Sequence, residues 1–571
     1  MMAISLNEFI FLLPILILGC AIIVLLFMHL LFRISTKTAA IIAIASLLLA
    51  LSSSFVISYN IISYSKSQTN HITTQTHDEN NVTISTADTA SDKLSTNSPS
   101  SAVENVEHAE TSAQETLTNQ VSDNNAETVA TENTSSMVQW KATYVTALFT
   151  CDLYGLLYTS LILIVCIIVA ILANDWFGKD QSHSGLFYLI LLFSALGGAT
   201  LVYSSHLISL FLGVELLSIP MVGLIGYQYT QKYSLEAAAK YMVLSVVASA
   251  FLLLGIAFYY AATGELTFSG LSFKLSILTF TSPLLLLGVC LMLVGIGFKL
   301  SLVPFQLWLP DVYQGAPACV SLLLTTVCKV AIFCAVARLF LLAPIVNNET
   351  IRIIMIVMSF GSILWGNIFA ITQRNIKRLL SYTSISHFGY LLIALIAVQY
   401  QVLSLETIGV YLIGYVLANI CILGVVSLES CAFASEDQDN DIDLQGLFWR
   451  RPVMALAMGV GLLSLAGVPL TIGFIGRFAL VLLGVTAELW WLIGAVVIGS
   501  AFELYLCLKL TVNLYIKPIN AKKVLPKKII NFSNIRINEA IIVLTALLIL
   551  LCGIYPKWLF NLVTVSQYLM S

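Results

Sequence analysis

Charge is scarce in this chain. Asp, Glu, Lys and Arg make up 10% of its 571 residues, against 58% hydrophobic residues, which excludes a soluble domain with an ordinary charged surface. The net charge of −3 carries little information about partners, because much of the acid lies in one loop, and no nucleic-acid partner is expected. The eleven cysteines are scattered through apolar segments without a C-x-x-C or a Cys/His cluster. Zinc or iron–sulfur binding within the chain is therefore not expected, and the cysteines read as small buried hydrophobes. A cleavable signal peptide is also missing from the pattern: the first apolar segment is long enough to span a bilayer and lacks a basic leader and a small-residue cleavage site.

Apolar runs long enough to cross a hydrocarbon core recur throughout. Fourteen are expected, at about 9–32, 39–62, 144–173, 184–203, 206–228, 236–262, 281–309, 315–341, 351–373, 380–400, 405–433, 452–482, 487–514 and 537–564, and they are numbered below as spans 1 to 14. The fold class is thus an all-α polytopic membrane protein. With the N-terminus outside, fifteen Lys and Arg residues fall in inside loops and seven on the outside, which favours both termini outside by the positive-inside rule. Residues 64–141 differ from the rest. They are rich in Ser, Thr, Asn and Glu, with eleven acids between Asp78 and Glu132, and read as a disordered external insertion. Asn81-Val-Thr and Asn133-Thr-Ser match glycosylation acceptors, which arise readily by chance in such a tract.

Two spans break at a proline beside a basic residue: Gly297-Phe-Lys-Leu-Ser-Leu-Val-Pro304 in span 7, and Gly467-Val-Pro469 through Gly476-Arg477 in span 12. Proline frees backbone groups that lipid cannot satisfy, and a cation at membrane depth costs roughly 3 kcal/mol even on translocon scales. Broken helices in corresponding places of two halves point to a transport site near the midplane. Leu300-Ser-Leu-Val-Pro304 also echoes Leu463-Ser-Leu-Ala-Gly-Val-Pro469. Elements five spans apart cross in opposite directions, so the echo implies inverted five-helix repeats, spans 4–8 against 9–13. The expected organisation is helices 1 and 2 in 1–63, the insertion at 64–141, and helix 3 in 142–183. One repeat then occupies 184–341 and the other 342–514, and a basic inside loop with helix 14 follows in 515–571.

Within the spans lie Lys240, Lys299, Lys329, Arg477 and Lys509, the acids Glu215 and Glu503, and, in or beside them, His206 and His387. Glu215 needs a cationic partner, for which Lys240 and Lys299 are the candidates. Desolvation and a nearby anion act in opposite directions on the protonation of such a lysine, so moving the partner moves the proton. A row of lysines on spans 6, 7 and 8 beside a broken helix reads as a proton relay, rather than as static ion pairs pinning helices together. His387 is a candidate member of that relay or a structural hydrogen-bonding group. His206 reads as structural, and Lys509 as snorkelling to the interface. Arg477 does not deprotonate in proteins, so it reads as a gate or fixed charge. Glu503, measured from a turn near residue 485, lies about ten residues deeper than Arg477, or roughly 15 Å along a helix; direct pairing of the two is not expected.

Several long runs carry a resemblance. They are Gly213-Val-Glu-Leu-Leu-Ser-Ile-Pro, Glu236-Ala-Ala-Ala-Lys-Tyr, Phe298-Lys-Leu-Ser-Leu-Val-Pro-Phe, Trp308-Leu-Pro-Asp-Val-Tyr-Gln-Gly-Ala-Pro317 and Lys329-Val-Ala-Ile-Phe, joined by Asn375 through Leu392 and Leu463 through Phe478. The chain resembles the antiporter-like membrane subunits of the bacterial proton-pumping NADH–quinone oxidoreductase, respiratory complex I, and the 463–478 stretch points to subunit N. The resemblance implies a fourteen-helix, proton-conducting subunit of an enzyme complex in the bacterial inner membrane. It implies other membrane subunits of that complex as partners besides the lipid bilayer. Glu215 matches the family's helix-5 glutamate, and Lys240, Lys299 and Lys329 match its lysines on helices 6, 7 and 8. NADH, flavin, iron–sulfur clusters and quinone are implied in other subunits, with no redox site or cofactor in this chain. The chain departs from the family in Arg477 where lysine is usual, Gln306 where histidine is usual, Glu503 where a small residue is usual, and the longer insertion. A cation/proton antiporter subunit, or a structural subunit with an impaired proton path, remains open beside this reading.

Overall fold

A computed structural model describes residues 10–32, 36–87, 143–177, 184–271, 282–343, 345–398, 400–430, 439–517 and 537–567. The chain divides into two units, one of Met1–Tyr59 with Ala142–Ser571 and one of Asn60–Lys141. In the second unit the described residues are helical as far as Ala87. Residues 64–87 are therefore helical where composition indicated a disordered loop. Once an apolar segment has nucleated a helix, each added residue extends it at little cost. Residues 88–142, with Asn133, and the basic stretch 518–536 lie outside the described residues.

Among the described residues, thirteen helices are long and apolar enough to cross a membrane. The remaining expected span, the twelfth, is built from two shorter helices, Pro452–Ala466 and Ile472–Thr486. One boundary is corrected. Span 3 begins at Leu153, and the residues before it form an antiparallel hairpin, β1 (Thr143–Thr146) and β2 (Phe149–Cys151). Thr, Tyr and Val suit a strand better than a helix, and Asp152 then caps span 3 by accepting from Gly155 N at 2.7 Å. Arg338, near the end of span 8, is buried against this hairpin, with Nη2 2.6 Å from Asp152 Oδ1 and Nη1 2.5 Å from Thr150 Oγ1. Arg338 is thus a clamp between spans 3 and 8.

Spans 8 (Ala318–Leu342), 10 (Ile376–Ile396) and 11 (Gln401–Glu429) are buried nearly all round, whereas spans 6 (Lys232–Thr263), 9 (Glu349–Ile371) and 13 (Trp490–Tyr515) leave one apolar face open. A helix that is apolar all round belongs inside a bundle, and one exposed apolar face suits lipid. Spans 6 and 7 (Pro283–Leu300) meet backbone to backbone, since a Cβ on Gly288 would lie 2.9 Å from Tyr259 N. Small residues permit such approach between membrane helices.

Both breaks open ahead of the proline. Span 7 ends at Ser301, left-handed at φ 58°, with Leu302 N donating to Gly297 O at 2.8 Å. The first half of span 12 ends at Gly467, φ 72°, with Val468 N donating to Leu463 O at 3.0 Å. These are the paired bonds of a left-handed helix terminus, and the following Pro304 and Pro469 prevent the helix from resuming at once. Span 8 carries a π-helical turn, Leu324–Cys328, directly before Lys329, a distortion that often marks functional positions.

His206 precedes span 5 (Leu207–Ile225) and caps it, its Nδ1 accepting from Ile208 N at 3.1 Å. Burial holds this imidazole below the usual histidine range, with Glu265 opposing. A depressed value means that the cap's stabilisation is complete above the unfolded value of about 6.5 and is lost as pH falls through the folded value. We expect thermal stability to drop between about pH 7.5 and about pH 5.5, and to drop less in His206→Asn, which caps without titrating. An equal drop in both proteins refutes the role.

A buried polar path between the two helix breaks

Lys299 occupies the last turn of span 7 and is buried. Its Nζ donates to Ser218 Oγ at 2.8 Å and Ser245 Oγ at 2.7 Å, and lies 4.0 Å from Glu215 Oε1. Ser249 Oγ donates to the same carboxylate oxygen. Glu215 therefore has its cation, and it is Lys299. Lys240 sits elsewhere, half-exposed, 2.8 Å from both Glu236 Oε1 and Asp311 Oδ2, and Asp311 in turn lies 3.2 Å from Arg378 Nη1. The reason is helical phase. At about 100° per residue, Ser245 and Ser249 lie about 140° and 180° around span 6 from Lys240, so one face cannot present all three.

Lys329 lies at the centre. Its buried Nζ donates to Ser301 Oγ at 2.7 Å and Ser384 Oγ at 2.6 Å, and stands 4.9 Å from the Phe388 ring centroid. Ser301 is the left-handed residue of the first break, so the break supplies one of the two acceptors. A small cavity lined by Ser218, Tyr241, Lys299, Cys328 and Lys329 joins the two lysines, at about the size that admits one water molecule. Beyond Lys329, Tyr415 OH donates to Ser384 Oγ at 2.8 Å, and the Tyr415 and His387 ring centroids are 5.1 Å apart. Gln306, where the family resemblance led us to look for histidine, is buried in the break with its Oε1 unpartnered.

The far end gathers His387, Glu503 and Arg477. His387 Nδ1 is 2.6 Å from Tyr411 OH. Its Nε2 lies 2.7 Å from Glu503 Oε1, without the alignment of a hydrogen bond. Arg477 Nη2 lies 2.5 Å from Glu503 Oε2 and also donates to Leu465 O, while Nη1 donates to Ala466 O at 2.9 Å. Pairing of Arg477 with Glu503 thus occurs, contrary to the depth argument. The helices around the turn end at Thr486 and restart at Trp490. Arg477 then lies nine residues from its helix end and Glu503 thirteen from the next helix start. The offset is four residues, about 6 Å of rise, which an arginine side chain spans. The guanidinium also satisfies carbonyls left open where the half-helix ends.

A second small cavity is lined by His387, Tyr411, Tyr415, Ser464, Gly473 and Arg477, and Ser464 Oγ is buried without a hydrogen-bond partner. The structure thus brings Glu215, Lys299, Lys329, His387 and Arg477 along one interior path and leaves Lys240 off it. The serines and tyrosines that link them went unremarked in the sequence; their signal was hydroxyl residues recurring on apolar spans at positions facing the cations. Among the described residues, no three His, Cys, Asp or Glu side chains converge as metal ligands.

The second half of span 12 seats against the first only because residue 473 is glycine, since a Cβ there would lie 1.8 Å from Ser464 O. Gly473→Ala is expected to cost about 1–3 kcal/mol of stability through overpacking, read as a lowered unfolding temperature of the purified protein. An unchanged unfolding temperature refutes the close seat.

Residues 204–503 match the family described as NADH:quinone oxidoreductase/Mrp antiporter, TM. A chain of respiratory complex I from Thermus thermophilus, solved with bound aureothin, superposes with a TM-score of 0.68 at 25% identity, covering 96% of this chain and 98% of that one. A chain of the membrane-bound sulfane sulfur reductase, an archaeal respiratory membrane complex, gives 0.64 at 22%, covering 74% and 83%. A chain of the Mrp complex from Dietzia sp. DQ12-45-1b gives 0.62 at 17%, covering 74% and 86%. The latter two likenesses concern the fold alone.

Proposed function

Because the chain belongs to the NADH:quinone oxidoreductase/Mrp antiporter transmembrane family, we propose that it conducts protons across the bacterial inner membrane as the N-type subunit of a respiratory NADH–quinone oxidoreductase. The observation that carries this reading is the interior path. Glu215, Lys299, Lys329 and His387 are each hydrogen-bonded or ion-paired within spans 5, 7, 8 and 10; a small cavity lies between Lys299 and Lys329, and Tyr415, hydrogen-bonded to Ser384, packs beside His387. Titratable groups in a row inside apolar helices suit a proton relay. Arg477 serves as a fixed charge at the end of the row, because it does not release its proton. NADH, flavin, iron–sulfur clusters and quinone are held by other subunits, and the outer faces of this chain meet lipid and the other membrane subunits.

In membranes carrying the assembled complex, Lys299→Ala and Glu215→Ala are expected to lower proton pumping coupled to quinone reduction by about tenfold or more, about 1.4 kcal/mol in the limiting barrier. Normal pumping in both variants overturns the relay. The family also spans Mrp antiporters, which favours a cation/proton antiporter subunit as the second reading. The purified native complex discriminates between them. Flavin and iron–sulfur absorbance that co-purifies supports the oxidoreductase, whereas sodium–proton exchange without that absorbance supports the antiporter.

A further inference from the structure

Glu503 carries no role in the reading above, yet it is fully buried in span 13 and its two oxygens face different partners. Oε2 meets Arg477 Nη2 at 2.5 Å, and Oε1 meets His387 Nε2 at 2.7 Å. Arg477 is held in turn by Leu465 O and Ala466 O at the second break, and the Tyr390 ring centroid lies 5.5 Å from its guanidinium carbon. The other face of the imidazole is occupied by Tyr411 OH, 2.6 Å from Nδ1. Tyr415, Tyr390, Cys507 and Ser464 are further polar or titratable groups beside the pair. A guanidinium and a carboxylate in contact leave no net charge, so of the three side chains the imidazole is the one left to exchange a proton.

We propose that Glu503 is a positioning residue that makes His387 the proton carrier of the second half, with Arg477 as the fixed charge that holds Glu503. The inference rests on the proton-transport reading. A neutral imidazole accepts a proton on one ring nitrogen and becomes imidazolium, with Glu503 as its counter-charge; release of a proton restores the imidazole. Arg477 and Glu503 keep their protonation throughout. A single cation at the break, as the family resemblance implies for lysine at that place, is replaced here by three side chains from spans 10, 12 and 13. The same cluster places the Tyr411 hydroxyl at one ring nitrogen and the Glu503 carboxylate at the other, which restricts the rotation of the ring.

The test uses the assembled complex in membrane vesicles, with coupled proton transport as the readout and immunodetection of assembly alongside. E503Q is expected to lower transport by about tenfold or more, and E503D, which keeps the carboxylate, to retain at least about half. The deciding variant is R477Q/E503Q, which leaves no unpaired charge and so relieves any merely structural demand for the ion pair. Transport in it should stay about tenfold down; a rate within about twofold of the unmodified complex overturns the proposal. Lys299→Ala measured in parallel separates the two readings. Loss in Lys299→Ala with normal transport in R477Q/E503Q sinks this inference alone, and normal transport in both sinks the relay itself. A second measurement leaves Glu503 untouched. Infrared difference spectra of the unmodified complex across a pH series should show an imidazole band that H387N removes, and an imidazole that never changes protonation overturns the proposal.

Discussion

A cation buried among apolar helices must be met by acceptors that the protein supplies, because lipid offers none. Three buried cations near the helix breaks, Lys299, Lys329 and Arg477, meet that demand in three ways. Lys299 uses two serine hydroxyls and a carboxylate, Lys329 two serine hydroxyls, and Arg477 two backbone carbonyls and a carboxylate. Two of these sets depend on the helix breaks. Ser301 is the left-handed terminus of one, and Leu465 and Ala466 are the last residues before the other. The breaks and the buried cations therefore require each other.

The two breaks share a backbone solution and differ in what they hold. Each ends in a left-handed residue with the same paired terminal hydrogen bonds, at Ser301 and Gly467. At the first break the side chain of the terminal residue faces a lysine, whose compact ammonium can lose a proton. At the second the carbonyls themselves face an arginine, whose planar fork can serve two of them and Glu503 at once. The same backbone arrangement thus holds an ionisable lysine at one place and a permanently charged arginine at the other, with His387 beside the second.

Much of this was legible in one dimension. Apolar length marked the fourteen spans, and proline beside a basic residue marked spans 7 and 12. The rarity of charge in such spans singled out Glu215, Lys299, Lys329 and Arg477, because an ionisable residue at that depth stands out against its surroundings. What could not be read were relations that depend on helix phase and on where turns fall. Lys240 shares the rarity but points off the path, since Ser245 and Ser249 occupy other faces of span 6. Glu503 was placed too deep because the turn was set near residue 485, whereas it follows Thr486 and the next helix restarts at Trp490. Residues 144–151 were read into a span, although their β-branched character suits the hairpin that Arg338 grips.

The linear order of residues was enough to establish that this is a polytopic helical protein with interrupted helices and costly charges inside it. That much follows from composition and from the free energy of placing polar groups in hydrocarbon, which acts on each segment separately. Partnership was decided only in three dimensions. Glu215 with Lys299, Lys329 with Ser301 and Ser384, and Glu503 between Arg477 and His387 each join residues from different spans. The physical reason is that a hydrogen bond or ion pair is set by a few ångströms of approach, and helix rotation and turn position fix that approach only when the bundle packs.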